Sequence, residues 1–310
     1  MKENPMRIFV LTSCLAALVS TTVSAATFPV ENISPDAKWV AHLDFDELKN
    51  TKIGEILIGK LNSEKPDAKF NALKAMFNID PRSDLNTATF YGSGSEPVDA
   101  VALIDARFDE DHLVTLVAAN DDYVLQSHGS HAVHSWVDDK KGVGIKSFGC
   151  FHSSGTLVLS QGLGNVRNAL DILDAKSRGL AESDPLGKMI TDESSMFFIA
   201  VANLAEMKDV DPSAAMLHQS AAAHFAVGES EDRIRCRLRL TTKDEESAEM
   251  VGSVLEGMIA FTLLNAAEEP EIAKLADDAT YGVTGNQVEL IIEQPVTDVA
   301  EWLQDKIDEK

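Results

Sequence analysis

The sequence predicts an α+β fold built from two duplicated halves, each an antiparallel sheet covered by helices, related to the ferredoxin-like split βαβ arrangement. Three observations predict it. Two ungapped internal matches repeat strand-to-helix phrases in the same chain order. Runs with period-two alternation are interleaved with helices that carry capping residues at their starts. Hydrophobic residues make up 45% of the 310 positions, enough to bury a core.

The chain opens with Lys2 and Arg7, followed by an uncharged apolar run from Ile8 to about Val23 and the small residues Val23, Ser24 and Ala25. This is the layout of a cleaved secretory signal peptide over residues 1–25, so the mature protein is expected to be exported, periplasmic or extracellular. A lipoprotein signal ending at Cys14 is the alternative, but too few apolar residues precede that cysteine. No second apolar stretch reads as long and uncharged enough to span a bilayer, so no membrane insertion is expected after cleavage.

The first match sets Trp39–Lys49 against Phe198–Lys208. Each is an apolar strand leading to a helix N-cap, Asp44 or Asn203, with Glu47 or Glu206 three residues on. Next, Val98–Ile104 corresponds to Ile234–Leu240, each strand leading into a helix, one capped by Asp109 and the other by a Thr242/Glu245 capping box. The longest helix, about 243–265, aligns Ala248, Val251, Leu255, Met258 and Phe261 on one apolar stripe expected to cover the second sheet. The second match sets Leu157–Leu170 against Leu290–Leu303, again strand into helix, with Asn165 and Asp298 near the helix starts. The halves are therefore 27–178 and 190–310, and the first is longer by about 26 residues, a surplus that falls around 120–146 and reads as an added hairpin. The pattern fits equally one joined sheet or two lobes.

The phrases Pro35–Asp44, His134-Ser-Trp136 and Ala169–Leu173 resemble a group of secreted bacterial proteins of unknown function with an internally duplicated α+β architecture. The resemblance implies no activity and no functional residue.

Composition excludes some partners. Net charge is −23, a surface that repels phosphate backbones and anionic head groups, so nucleic acid is excluded as a partner and an unknown protein or small ligand is expected. After signal removal only Cys150 and Cys236 remain, too few for a disulfide framework, and whether they pair is open. Nucleophile-elbow, zincin, P-loop and dinucleotide-loop motifs are absent from the sequence. The balance leans toward a non-catalytic binding protein without a cofactor.

Two constellations stand apart. In Tyr123–Trp136, Gly129-Ser130 is a type II′ hairpin signal that would pair His128 with His131 across the turn, two imidazoles able to chelate zinc, copper or nickel. A metal site needs a third ligand, for which His152 and Asp122 are candidates, and with it the alternative function is a metal-binding protein or metal-dependent enzyme. Tyr123, Leu125, His134 and Trp136 would lie on the opposite face, packed on the core. In Arg233–Leu240, alternation places Arg233, Arg235, Arg237 and Arg239 on one face, as an anion-binding stripe or as a salt-bridge ladder with Glu289 and Glu293.

Overall fold

A computed structural model of the chain describes residues 29–61, 74–75, 77–80, 82–138, 144–152, 155–191, 196–207, 219–266 and 270–308. The expected signal segment 1–25 lies outside them.

The alternating runs form β1 (Trp39–Asp44), β2 (Leu85–Gly92), β3 (Ala100–Ala106), β4 (Val124–His128), β5 (His131–Asp138), β6 (Ile145–Phe151), β7 (Thr156–Ser160), β8 (Met196–Ala202), β9 (Ser220–Ser230), β10 (Arg233–Thr242), β11 (Ala279–Thr284) and β12 (Gln287–Pro295). They join into one antiparallel sheet of 12 strands in the order β11-β12-β10-β9-β8-β1-β2-β3-β7-β6-β5-β4. The two halves thus share a single sheet, meeting at the antiparallel β1/β8 pair, where Val40 faces Val201.

Eight helices are described: α1 (Phe45–Lys49), α2 (Lys52–Leu61), α3 (Glu110–Ala118), α4 (Leu163–Leu173), α5 (Pro185–Thr191), α6 (Glu245–Leu264), α7 (Pro270–Asp277) and α8 (Val296–Asp308). Local chemistry sets their starts. The Asp44 side chain accepts from the Glu47 N–H and that of Asp109 from the His112 N–H. At α6 the cap is Asp244, accepting from the Ser247 N–H, rather than the expected Thr242, whose hydroxyl donates to the Asp244 carbonyl. Val98 likewise differs from expectation: it sits in a 3-10 turn over Pro97–Asp99 ahead of β3, where the proline at its first position favours a turn over a ladder.

Directly paired residues share a face, so the register traces one row across the sheet. It runs Ser135, Phe148, Ser160, Val101, Tyr91, Val40, Val201, His224, Arg239, Glu289. On this face α4 buries Val166, Ala169 and Leu170 against Val101, Val133, Cys150 and Val158, with Leu186 and Ile190 of α5 in the same cluster. The other face carries Leu240 and Val288 under Ala248, Val251 and Leu255 of α6, and Ile234 under α2 and α8 through Ile53, Val296 and Ala300. Helices therefore cover both faces, α4 one and α6 and α8 the other, instead of a single face. The start of α2 is tied across the halves, because the Glu229 carboxylate of β9 accepts from the N–H groups of Lys52 and Ile53.

Two expectations about α6 are corrected. Met258 and Phe261, assigned to its sheet-facing stripe, are 52% and 68% exposed, because only Ala248, Val251, Gly252 and Leu255 are buried along this helix. By length and composition alone α6 is also apolar enough to cross a membrane, contrary to the expectation that no second stretch would be. Cys150 and Cys236 are both free, and the register puts them on opposite faces of the sheet.

Candidate metal centre

The hairpin that carries the histidines is set by its turn. Gly129 has φ +60° while Ser130 stays out of the left-handed region, the signature of a type II′ turn, and His128 pairs directly with His131. His131, Val133 and Ser135 share a face, and Val133 is fully buried in the cluster under α4. The histidine pair therefore points to the helix-covered side, the reverse of the expected placement, because the sheet continues into the first-half core on that side.

What lies over the histidines is the C-terminus of α4. There Asp174 is the C-cap and Ala175 adopts φ +56°. The Ala175 N–H donates to the Ile172 carbonyl and the Lys176 N–H to the Asp171 carbonyl, which is the Schellman pattern. That closure aims the carboxylates of Asp171 and Asp174 down at the sheet. His128 Nε2 lies 2.8 Å from Asp171 Oδ1, and His131 Nε2 lies 2.8 Å from Asp174 Oδ2. His152, in the turn after β6, brings its Nε2 to 2.9 Å from Asp174 Oδ1, and its ring centroid is 5.2 Å from that of His131.

The ligand atoms of His131, His152 and Asp174 all lie within 4.8 Å of one another. Exposure of the three side chains is 9%, 8% and 18%. Lys176 Nζ stands 2.7 Å from Asp174 Oδ2, and this ammonium, with the two imidazoles, holds the Asp174 carboxyl well below the usual carboxylate range. The helix end adds partial negative charge from its last carbonyls. Two imidazole nitrogens, one ionised carboxylate and a negative helix terminus form a donor set for a divalent transition metal.

No protein-family model and no curated protein matches the sequence. Solved structures of TP0453 are similar in outline: crystal form I at TM-score 0.47 and 6% identity, covering 91% of this chain and 98% of that one. Form III gives TM-score 0.45 and 6% identity over 89% and 98%, and form IV gives 0.43 and 8% over 90% and 97%. No residue role or activity passes to this chain from a likeness so distant.

Of the residues singled out in the sequence, the structure brings His131 and His152 together and sets His128 aside on Asp171. Asp122 is exposed in the turn before β4, its N–H donating to the Asn120 side chain, and it stands outside the cluster. His134 occupies the opposite face as expected, buried, with Tyr123 Oη 2.8 Å from its Nδ1; burial lowers its pKa. Asp171 and Asp174 were not singled out. The signal for them was a pair of carboxylates at i and i+3 where an apolar-striped helix ends, which by itself reads as helix polarity.

The four arginines of β10 each have a carboxylate neighbour. Arg233 and Arg235 lie 3.9 and 3.2 Å from Glu293, and Arg237 and Arg239 lie 3.6 and 3.3 Å from Glu289. Their face is the same one that carries the histidines, at the far end of the sheet, and the paired charges form a cross-strand ladder.

Proposed function

We propose that the mature chain works outside the cytoplasm as a non-catalytic protein that binds one divalent transition metal, Zn²⁺ in the first instance, through His131, His152 and Asp174. The observation that carries this reading is the convergence of two imidazole nitrogens and a carboxylate from three separate elements within 4.8 Å. Bonds of about 2.0–2.1 Å to a tetrahedral zinc place ligand atoms about 3.3 Å apart, so the His–Asp174 contacts of 2.8 and 2.9 Å open by a few tenths of an ångström as their hydrogen bonds give way to the metal. Lys176 swings off Asp174 when the metal enters. His128 and Asp171 remain a neighbouring pair that adds a second carboxylate to the site's field. A second reading of the same atoms, a metal-dependent enzyme, uses the fourth coordination position for a water; the low exposure of both histidines favours storage or transport over turnover.

Export is supported by the Lys2/Arg7 start, the apolar run and the small residues to Ala25. The partners in this reading are a metal ion and an unknown protein or small ligand. Internal duplication is supported by the outward strand order from the β1/β8 junction, β1-β2-β3-β7-β6 on one side and β8-β9-β10-β12-β11 on the other, with β4 and β5 as the surplus hairpin. Against a simple copy, α4 and α8 follow equivalent strands yet pack on opposite faces.

The test is equilibrium dialysis of the exported protein against Zn²⁺. One ion bound per chain, lost in His152→Ala and in Asp174→Asn but kept in His134→Ala, is the expected result. Binding that survives both substitutions, or no binding at all, overturns the assignment.

A further inference from the structure

At the other end of the sheet, on the face opposite the histidines, a cavity of about 380 Å³ opens between the sheet and helices α7 and α8. Its floor is Ile234, Cys236 and Ile292 of β10 and β12, and its walls include Leu275, Val299 and Trp302. Gln294, 5% exposed, closes one end with its amide donating to Asp278. Polar groups are otherwise confined to the mouth, where Lys274 pairs with Asp298 beside Glu301. A largely apolar concavity of a few hundred Å³ with a few convergent polar groups has the make-up of a small-molecule site.

From this geometry we infer a second site, independent of the metal centre, that takes a single-chain amphiphile with a cationic head. The volume accommodates about a dozen water- or methylene-sized groups, a medium-length alkyl chain. Burying that chain against Ile234, Ile292, Leu275 and Trp302 supplies the affinity. The head is selected by charge: Asp298 and Glu301 line the mouth with Lys274, and Asp278 stands behind Gln294. Arg233, which also acts on Asp298, is itself paired with Glu293, so carboxylates outnumber the cations there. An ammonium head gains from that excess and a carboxylate head is repelled.

The experiment is calorimetric titration of the full mature chain with dodecylamine, dodecanol and dodecanoate below their aggregation limits, in excess chelator so that the metal centre takes no part. One dodecylamine per chain is expected, with dodecanoate at least tenfold weaker and dodecanol between them. Trp302, 41% exposed at the mouth, is changed to Gln to remove the apolar wall without adding charge or touching the core; this should weaken dodecylamine and dodecanol at least tenfold while the unfolding midpoint stays put. Ile292→Phe, which fills the floor, gives an independent loss. No saturable binding, or binding indifferent to both substitutions, overturns the site. Tighter binding of dodecanoate than of dodecylamine overturns the cationic-head assignment.

Discussion

The two ends of the sheet extend one antiparallel ladder but are finished differently. At the first-half end, α4 covers one face and its C-terminus meets the histidine hairpin, so polar donors converge beneath a helix end. At the second-half end that face is left to a ladder of arginines and glutamates, while α6, α7 and α8 cover the reverse. The same histidines on the second-half end would face carboxylates already paired with guanidinium groups. A metal centre therefore depends less on having the hairpin than on which face receives the closing helix.

The largest expected effects test that swap of faces. Leu170 of α4 is fully buried and Leu255 of α6 is 5% exposed. Replacing either with Ala should cost about 3 kcal/mol by urea denaturation, as for other buried leucines. Met258→Ala on the exposed side of α6 should stay within about 0.5 kcal/mol. Equal losses at Met258 and Leu255 would show that α6 does not cover its face as described.

Where the halves join, His42 is 5% exposed, with Nδ1 2.8 Å from Thr89 Oγ1, and burial lowers its pKa from 6.5 to about 4. Its folded pKa is depressed for a base, so the unfolded chain takes up the proton first as pH falls. The stability tied to neutral His42 is fully present above pH 6.5 and is lost as pH drops from 6.5 toward about 4. The loss is about 3 kcal/mol. His42→Gln should flatten the stability profile across that window; an unchanged slope would remove His42 as its source.

The hairpin register and the charged stripe of β10 were legible because period-two alternation and Gly129-Ser130 fix which residues share a face. Which face the core occupies was not, since alternation is blind to where a helix lands after its loop. Hence Met258 and Phe261 read as core, and the side of His128 and His131 read as free. Asp174 was hidden for a related reason. Its role comes from a C-cap closure in which Ala175, not glycine, takes a positive φ, and no local residue choice announces that.

That strain gives a smaller prediction. Ala175→Gly should stabilise the chain by about 0.5–1 kcal/mol in thermal unfolding, because glycine adopts the left-handed region without penalty. A destabilised variant would mean that the Schellman closure over the hairpin is not as drawn. Smallest of all is the ladder: a double-mutant cycle on Arg239 and Glu289 should give about 0.5 kcal/mol of coupling, falling with salt. A coupling several times larger, insensitive to salt, would make the arginine face a buried network and erase the contrast between the two ends.

The most direct test of the metal assignment is zinc K-edge X-ray absorption on the mature protein loaded with one equivalent of Zn²⁺. Coordination by His131, His152 and Asp174 predicts a first shell of nitrogen and oxygen at about 2.0–2.1 Å, with the outer-shell scattering of two imidazoles and no sulfur at about 2.3 Å. A shell of oxygen alone, or one containing sulfur from Cys150 or Cys236, would contradict it.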